Sequence, residues 1–415
     1  MRDSYDVVVV GGGLAGASCV EAIREAGSEL SIAVFTSEPH PPYHRPPLTK
    51  GFVRGEKSEV DTLVEPERWY ERNGVDLFQS VPVRSIDREA AQVELADGMR
   101  VGYGTLVLAT GAEPRTPEWP GEGDRDGRVF TIRTLEDSEH VREHLQPGTR
   151  WLVIGGGYIG VETTASALAR ECEVDLVMQE PVLWKQFYGD QVGGWFQRQL
   201  RSHGARIHAG DEVVRLDVTA DGVRATTKRG AQVSADYVLA GIGVTPRIEL
   251  ARDAGLDTGK GVTCDRFLRS SDPMVYAVGD ICEYDSVVHG QPMRIEHWNV
   301  AKTQGQYVGR RIAGALPTDQ PYDEVPYFFS ELGDWAFMRD VGPGMGDVVV
   351  RGDLDDGATG GFSAAYLKDG RLVALLAVDH DDDLDAARQL LRDHPRMDPD
   401  RLADESVALA DAVLA

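Results

Sequence analysis

The residues of this chain best suited to chemistry are glycines. Gly11-x-Gly13-x-x-Gly16 recurs 144 residues later as Gly155-x-Gly157-x-x-Gly160. Glycines at this spacing allow a tight turn, close approach of a phosphate to the backbone, and packing of a helix on a strand. A helix opening at such a turn adds unpaired N–H groups and the positive end of its dipole. The matching ligand is a pyrophosphate, and two turns imply two dinucleotides. An acid stands near the expected distance of about 20 residues beyond each turn, where a ribose would offer its hydroxyls. These acids are Glu38, after Ser31-Ile-Ala-Val-Phe35, and Glu180, after Val174-Asp-Leu-Val-Met178. Two bound dinucleotides suggest electron transfer.

The elements that must hold these turns are legible around them. The apolar runs Tyr5–Val10 and Trp151–Ile154 read as buried parallel strands. Leu14, Ala17, Val20 and Ile23 place one apolar face on a first helix, and Ile159, Ala165, Leu168 and Ala169 place one on a second. Alternation of strands and helices predicts an α/β chain with two Rossmann-like dinucleotide-binding domains and a C-terminal α+β domain. The loop from Glu113 to Arg128, rich in Pro, Gly and charge, marks one boundary, and the segment Pro317 to Pro326 marks another. The expected division is 1–113 with 244–318, then 114–243, then 319–415. Near the C-terminus, two strand-like runs flank Lys368-Asp-Gly-Arg371, which predicts a hairpin.

Composition narrows the function. The chain has 68 Asp and Glu against 43 Lys and Arg, a net charge of −25 that argues against nucleic acid as a partner. No apolar run approaches the ~18 residues of a membrane span. The N-terminus runs directly into a strand, so a cytoplasmic protein without a signal peptide is expected. Cys19, Cys172, Cys264 and Cys282 form no C-x-x-C and no closely spaced pair, which speaks against a redox dithiol or a clustered metal site. The acid run from Asp379 to Asp385 precedes a helical pattern and reads as a solvated helix N-terminus rather than a metal site.

Taken together, the motifs resemble the FAD-dependent pyridine nucleotide oxidoreductases of the ferredoxin-reductase type. That group includes the dioxygenase reductases, monodehydroascorbate reductase and apoptosis-inducing factor. The marks are Tyr43-His-Arg-Pro-Pro-Leu-Thr-Lys50, Ala109-Thr-Gly-Ala112, Gly241-Ile-Gly-Val-Thr-Pro246, Tyr276-Ala-Val-Gly-Asp280 and Arg294-Ile-Glu-His-Trp298. The resemblance implies a split FAD domain with an NAD domain inserted.

It also implies the site. The FAD residues would be Gly11, Gly13, Ala15, Gly16, Glu38, Arg45, Lys50, Val83, Ala109, Thr110, Gly111, Gly279, Asp280, Glu296, His297 and Trp298. Gly155, Gly157, Tyr158, Ile159, Gly160, Glu180 and Gly243 would serve NADH. Asp280 would accept FAD hydroxyls. Lys50, paired with Glu162, would lie near flavin N5, where a cation favours the reduced ring. Trp298 would pack by the isoalloxazine, and Tyr158 would either cover the flavin or simply pack. Lys50, Glu162 and Trp298 are thus the expected catalytic set, with no metal.

The ribose acid stands two residues later than in many ferredoxin reductases, at Gln179-Glu-Pro181, and no arginine lies between Leu176 and Gln197. NADH is therefore expected over NADPH. The acceptor implied is a [2Fe-2S] ferredoxin of an oxygenase system, docked with help from the last ~90 residues of a monomer or homodimer. A small-molecule acceptor stays open, because an acidic surface repels an acidic ferredoxin. A redox-switched binding protein is the third reading, and it would carry a basic surface that this composition lacks.

Overall fold

A computed structural model describes residues 1–415 except 124–126, 334, 343–345, 355–360, 381, 382 and 415. The chain divides into two compact units. One comprises residues 1–45, 59–113 and 244–324; the other comprises 46–58, 114–243 and 325–415.

The first unit is built on a seven-stranded sheet. Ser4–Val10 lies between Ile32–Phe35 and Arg100–Leu108, all parallel, and Val275–Ala277 joins Arg100–Leu108 in the same sense. Val7, Val8 and Val9 have no exposed surface, as the unbroken apolar run requires of a strand covered on both faces. The helix Leu14–Glu25 packs against the later helix Trp298–Ile312. Gly305 and Gly309 make that approach possible: a Cβ on either would sit 2.2 Å from a backbone carbonyl of the first helix.

In the second unit a parallel five-stranded sheet centres on Arg150–Ile154, flanked by Glu173–Met178 and Tyr237–Ala240. An antiparallel ribbon of three strands, Val213–Thr219, Gly222–Thr227 and Gln232–Ala235, follows in sequence. The helix Tyr158–Ala169 departs from the amphipathic expectation. Gly160 to Ala167 are all buried, while Ala169 is exposed. The reason is crowding: this helix is packed by Arg150–Ile154 and Glu173–Met178, by the turn Pro46–Thr49, and by Tyr327–Leu332.

The last segment of this unit is an antiparallel five-stranded sheet with the helix Leu384–Asp393. The expected hairpin is present. Lys368 pairs with Arg371 across Asp369 and Gly370, both at positive φ, which matches the right-handed twist of the flanking strands. The acid run corrects one expectation. Asp383 is buried and paired with buried Arg351 at 2.8 Å, and Ser363 donates to the same carboxylate. Arg351 also donates to the carbonyls of Leu402, Asp404 and Val407. Asp379 accepts from the Phe337 N–H; Asp381 and Asp382 lie outside the described residues. One buried guanidinium thus ties the chain end to the sheet. Arg351→Leu should cost about 3–5 kcal/mol by stranding Asp383. The expected result is an earlier urea midpoint with faster proteolysis after residue 380; an unchanged midpoint would contradict it.

Candidate functional site

Both glycine turns have the geometry their sequences require. Gly11 sits at φ +122, and a Cβ there would lie 2.1 Å from the Ala109 carbonyl oxygen. Gly155 repeats this at φ +112 and 2.3 Å from the Gly241 oxygen. Each helix then starts at a glycine, Gly13 or Gly157, with no side-chain cap on its first N–H groups. The donors a pyrophosphate needs are therefore not consumed by a cap at either turn. Ala15 is buried in the first helix; Ile159 is half-buried in the second.

In the first unit, Glu38 follows the strand Ile32–Phe35. Its carboxylate accepts from the Tyr43 hydroxyl and from Arg45 Nη2, the latter at 2.7 Å. Arg45 also lies over the Tyr43 ring at 5.0 Å. Burial works against the guanidinium's charge, but Tyr43, Glu38 and Asp280 together hold it above its ordinary range. No acid neighbours Arg45 in Tyr43-His-Arg-Pro-Pro47; the fold supplies Glu38 seven residues back and Asp280 from a distant turn. Gly279 reaches φ +76, and its N–H donates to buried Gln304 Oε1 at 2.8 Å, which fixes the turn that presents Asp280. Arg294 donates to the Asp280 carbonyl and to the Glu296 carboxylate. Burial pushes the His297 imidazole down to about 4, with Asp280 opposing, so His297 is neutral near pH 7.

Trp298 opens the helix Trp298–Ile312. Its indole N–H donates to His44 Nδ1 at 3.0 Å, leaving the proton of that imidazole on Nε2. Lys302 Nζ sits 5.2 Å from the Trp298 ring. Thr110 donates to the Arg247 carbonyl, Gly111 is at φ +69, and Val83 is half-buried at the start of Val83–Asp87.

In the second unit, Lys50 and Glu162 meet although 112 positions apart. Lys50 Nζ lies 2.6 Å from Glu162 Oε1, with both residues 5% exposed or less. The Thr49 hydroxyl donates to Oε2 at 2.5 Å and the Ser330 hydroxyl to Oε1 at 2.6 Å. The turn carrying Lys50 is itself held by Ser138, which donates to the Leu48 carbonyl, and by Ser166, which donates to that of Thr49. Ser330 carries no motif, and no pattern in the sequence marks it. Lys50 has three N–H donors; Glu162 and the Pro46 carbonyl take two among the described residues.

Glu180 stands half-buried two residues beyond the strand Glu173–Met178, and its carbonyl accepts from the Gly210 N–H. Arg229 comes from the ribbon turn to bond the Ala209 carbonyl and lies beside Gly210, a cation that local sequence reading did not place there. Gly243 is at φ +100 and its carbonyl accepts from the Arg115 N–H. The Tyr158 hydroxyl lies 2.8 Å from that of Tyr188, within a cluster of Trp184, Phe187 and Phe328 rings.

All four cysteines are buried. Cys264 and Cys282, distant in sequence, are close enough to share a hydrogen bond, and burial holds the Cys282 thiol far from its thiolate form. A thiol held this way lacks the reactive thiolate of a redox dithiol. Among the described residues no cluster of His, Cys, Asp and Glu could hold a metal, and no helix is long and apolar enough to cross a membrane.

Residues 5–305 match the pyridine nucleotide-disulphide oxidoreductase family, and residues 341–413 match the reductase C-terminal family. Over 420 residues the chain is 31% identical to putidaredoxin reductase of Pseudomonas putida, covering 100% of this chain and 98% of the relative. It is 34% identical to the ferredoxin–NAD(+) reductase component of the anthranilate 1,2-dioxygenase system of Burkholderia cepacia, covering 97% and 98%. The covalent putidaredoxin reductase–putidaredoxin complex contains a chain superposing with a TM-score of 0.92 at 31% identity, covering 99% of this chain and 98% of that one.

Proposed function

We propose, from the premise that this chain belongs to the pyridine nucleotide-disulphide oxidoreductase family, a division of labour between its residues. The protein is an NADH-dependent flavoprotein reductase that passes electrons to a ferredoxin, as its relatives in oxygenase systems are named to do. The [2Fe-2S] type of that ferredoxin, a cytoplasmic setting, and a monomeric or homodimeric state are part of the proposal.

The observation carrying the site assignment is the pair of uncapped glycine turns, each abutting a backbone carbonyl that excludes any side chain. In the first unit, the Gly11–Gly16 turn would hold the FAD pyrophosphate. Glu38 would take the ribose, and Arg45 the phosphates, its charge balanced by Glu38 and Asp280. Asp280 would accept FAD hydroxyls, with neutral His297 beside it. Trp298, anchored by His44, would pack against the ring. In the second unit, the Gly155–Gly160 turn and Glu180 would hold NADH. Lys50 would offer its remaining N–H to the flavin, and Glu162 would keep it aimed. Bound FAD and NADH supply the hydride and one-electron chemistry; the protein supplies placement and field. No general base is required.

Two measurements test this reading. Anaerobic addition of one equivalent of NADH to the flavin-loaded protein should bleach its yellow absorbance; an unbleached flavin would refute it. Glu180→Arg should shift preference toward NADPH by about 10-fold or more, since a carboxylate repels a 2′-phosphate and an arginine binds it. An unchanged NADH to NADPH ratio would remove Glu180 from the ribose site.

A further inference from the structure

Three side chains of the second unit form a buried hydroxyl chain that the reductase reaction does not by itself demand. Asp340, on the strand Ala336–Val341, accepts from the Tyr188 hydroxyl at 2.7 Å, and Tyr188 lies 2.8 Å from the Tyr158 hydroxyl. Tyr158 is the first helical residue after Gly157, and Glu162, the partner of Lys50, stands one turn further along the same helix. The chain therefore ends on a residue of the second fingerprint. Tyr366 closes its other side, donating to the Tyr188 carbonyl at 3.2 Å.

Asp340 is a buried carboxyl. Among the described residues no lysine, arginine or histidine pairs with it. The strands beside it set Phe328 and Leu376 opposite Asp340 in register. The helix Leu384–Asp393 turns Leu384, Ala387 and Leu391 inward and keeps Asp385, Arg388, Arg392 and Asp393 exposed. The titratable groups facing the carboxyl are Tyr188, Tyr158 and Tyr366, with Glu162 beyond Tyr158. Burial raises the Asp340 carboxyl to about 7, opposed only by the Tyr188 hydrogen bond. Both protonation states are thus populated near neutral pH.

The two states impose opposite hydrogen-bond directions. An ionised Asp340 only accepts, so Tyr188 donates to it and Tyr158 donates to Tyr188. The outer oxygen of Tyr158 is then left as an acceptor. A protonated Asp340 can donate to Tyr188, which donates to Tyr158, whose own O–H is released to donate outward. An acceptor oxygen backed by a carboxylate suits the cationic ring of oxidised nicotinamide. A donor backed by a neutral acid favours the reduced, uncharged ring by comparison.

We propose that Asp340 is a positioning residue for the nicotinamide, acting through Tyr188 to set whether Tyr158 meets it as acceptor or as donor. The inference rests on the reading above, in which the second fingerprint binds NADH. It makes the discrimination between oxidised and reduced dinucleotide dependent on pH, with oxidised dinucleotide favoured on the alkaline side.

The test is calorimetric titration of the flavin-loaded protein with NAD+ and with tetrahydro-NAD, an unreactive reduced analogue, from about pH 5.5 to about pH 8.5. One redirected hydrogen bond corresponds to about a three- to tenfold change. The ratio of the two affinities should therefore move by that factor in the wild type, toward NAD+ as pH rises. It should be flat in Asp340→Asn and in Tyr188→Phe, which interrupts the chain while leaving Asp340 in place. A wild-type slope retained in Asp340→Asn overturns the proposal, as does a flat ratio in the wild type. A slope lost in Asp340→Asn but kept in Tyr158→Phe overturns the route through Tyr158. Failure of the wild-type protein to bind either dinucleotide would instead overturn the reading on which the inference rests.

Discussion

Lys50→Met should lower the rate of flavin reduction by NADH about 10²- to 10³-fold while leaving the NADH dissociation constant within about threefold. The ammonium is buried, held 2.6 Å from Glu162, and sits on a turn fixed by Ser138 and Ser166. A preorganised buried charge of this kind acts on charge that develops during reaction more than on the bound ground state. The substitution also strands Glu162, still hydrogen-bonded by Thr49 and Ser330 but without its counter-charge. A loss of about 3–5 kcal/mol of stability is therefore expected alongside the rate defect. Lys50→Met with Glu162→Gln separates the two effects, because it removes the stranded charge: stability should return, but the rate should not. Stopped-flow reduction and denaturant midpoints on both variants check this. Recovery of the rate in the double variant would show that Lys50 serves only to neutralise Glu162.

Asp280→Ala should yield protein that purifies largely without flavin. Charge-assisted hydrogen bonds to a carboxylate contribute about 1.5–3 kcal/mol each, so losing two would weaken FAD binding about 10²- to 10⁴-fold. The substitution also removes one of the acids that hold the Arg45 charge. Flavin absorbance per mole of protein after gel filtration is the measurement. Full occupancy would remove Asp280 from the FAD site. The far-ultraviolet spectrum should stay near that of the wild type, because the backbone of the Gly279–Ile281 turn is fixed independently by Gln304 and Arg294.

What was legible in the sequence was whatever a local backbone rule enforces. Gly11 and Gly155 announce themselves because their turns press against a carbonyl, leaving room for no other residue. Asp369-Gly370 marks its hairpin for a similarly local reason, the positive φ at both turn residues. The Lys50 and Glu162 pair follows only from the resemblance, since nothing in the 111 residues between them couples them. Ser330, Tyr188 and Asp340 had no signal at all: each is an ordinary polar residue on an ordinary strand or helix, and its partner is supplied by tertiary packing. The burial of Asp383 was missed for the same reason. A run of acids before a helix looks solvated until a distant Arg351 turns up beneath it. The second fingerprint helix was misread in its exposure because elements from four parts of the chain pack around it. Helical periodicity reports a single buried face, and this helix has more than one.

The most direct test of the central claim is NADH-driven cytochrome c reduction by the flavin-loaded protein, with and without added [2Fe-2S] ferredoxins. The account predicts a large stimulation that saturates with ferredoxin concentration. No stimulation by any of several ferredoxins, in a protein whose flavin NADH does reduce, would contradict it and point to a small-molecule acceptor.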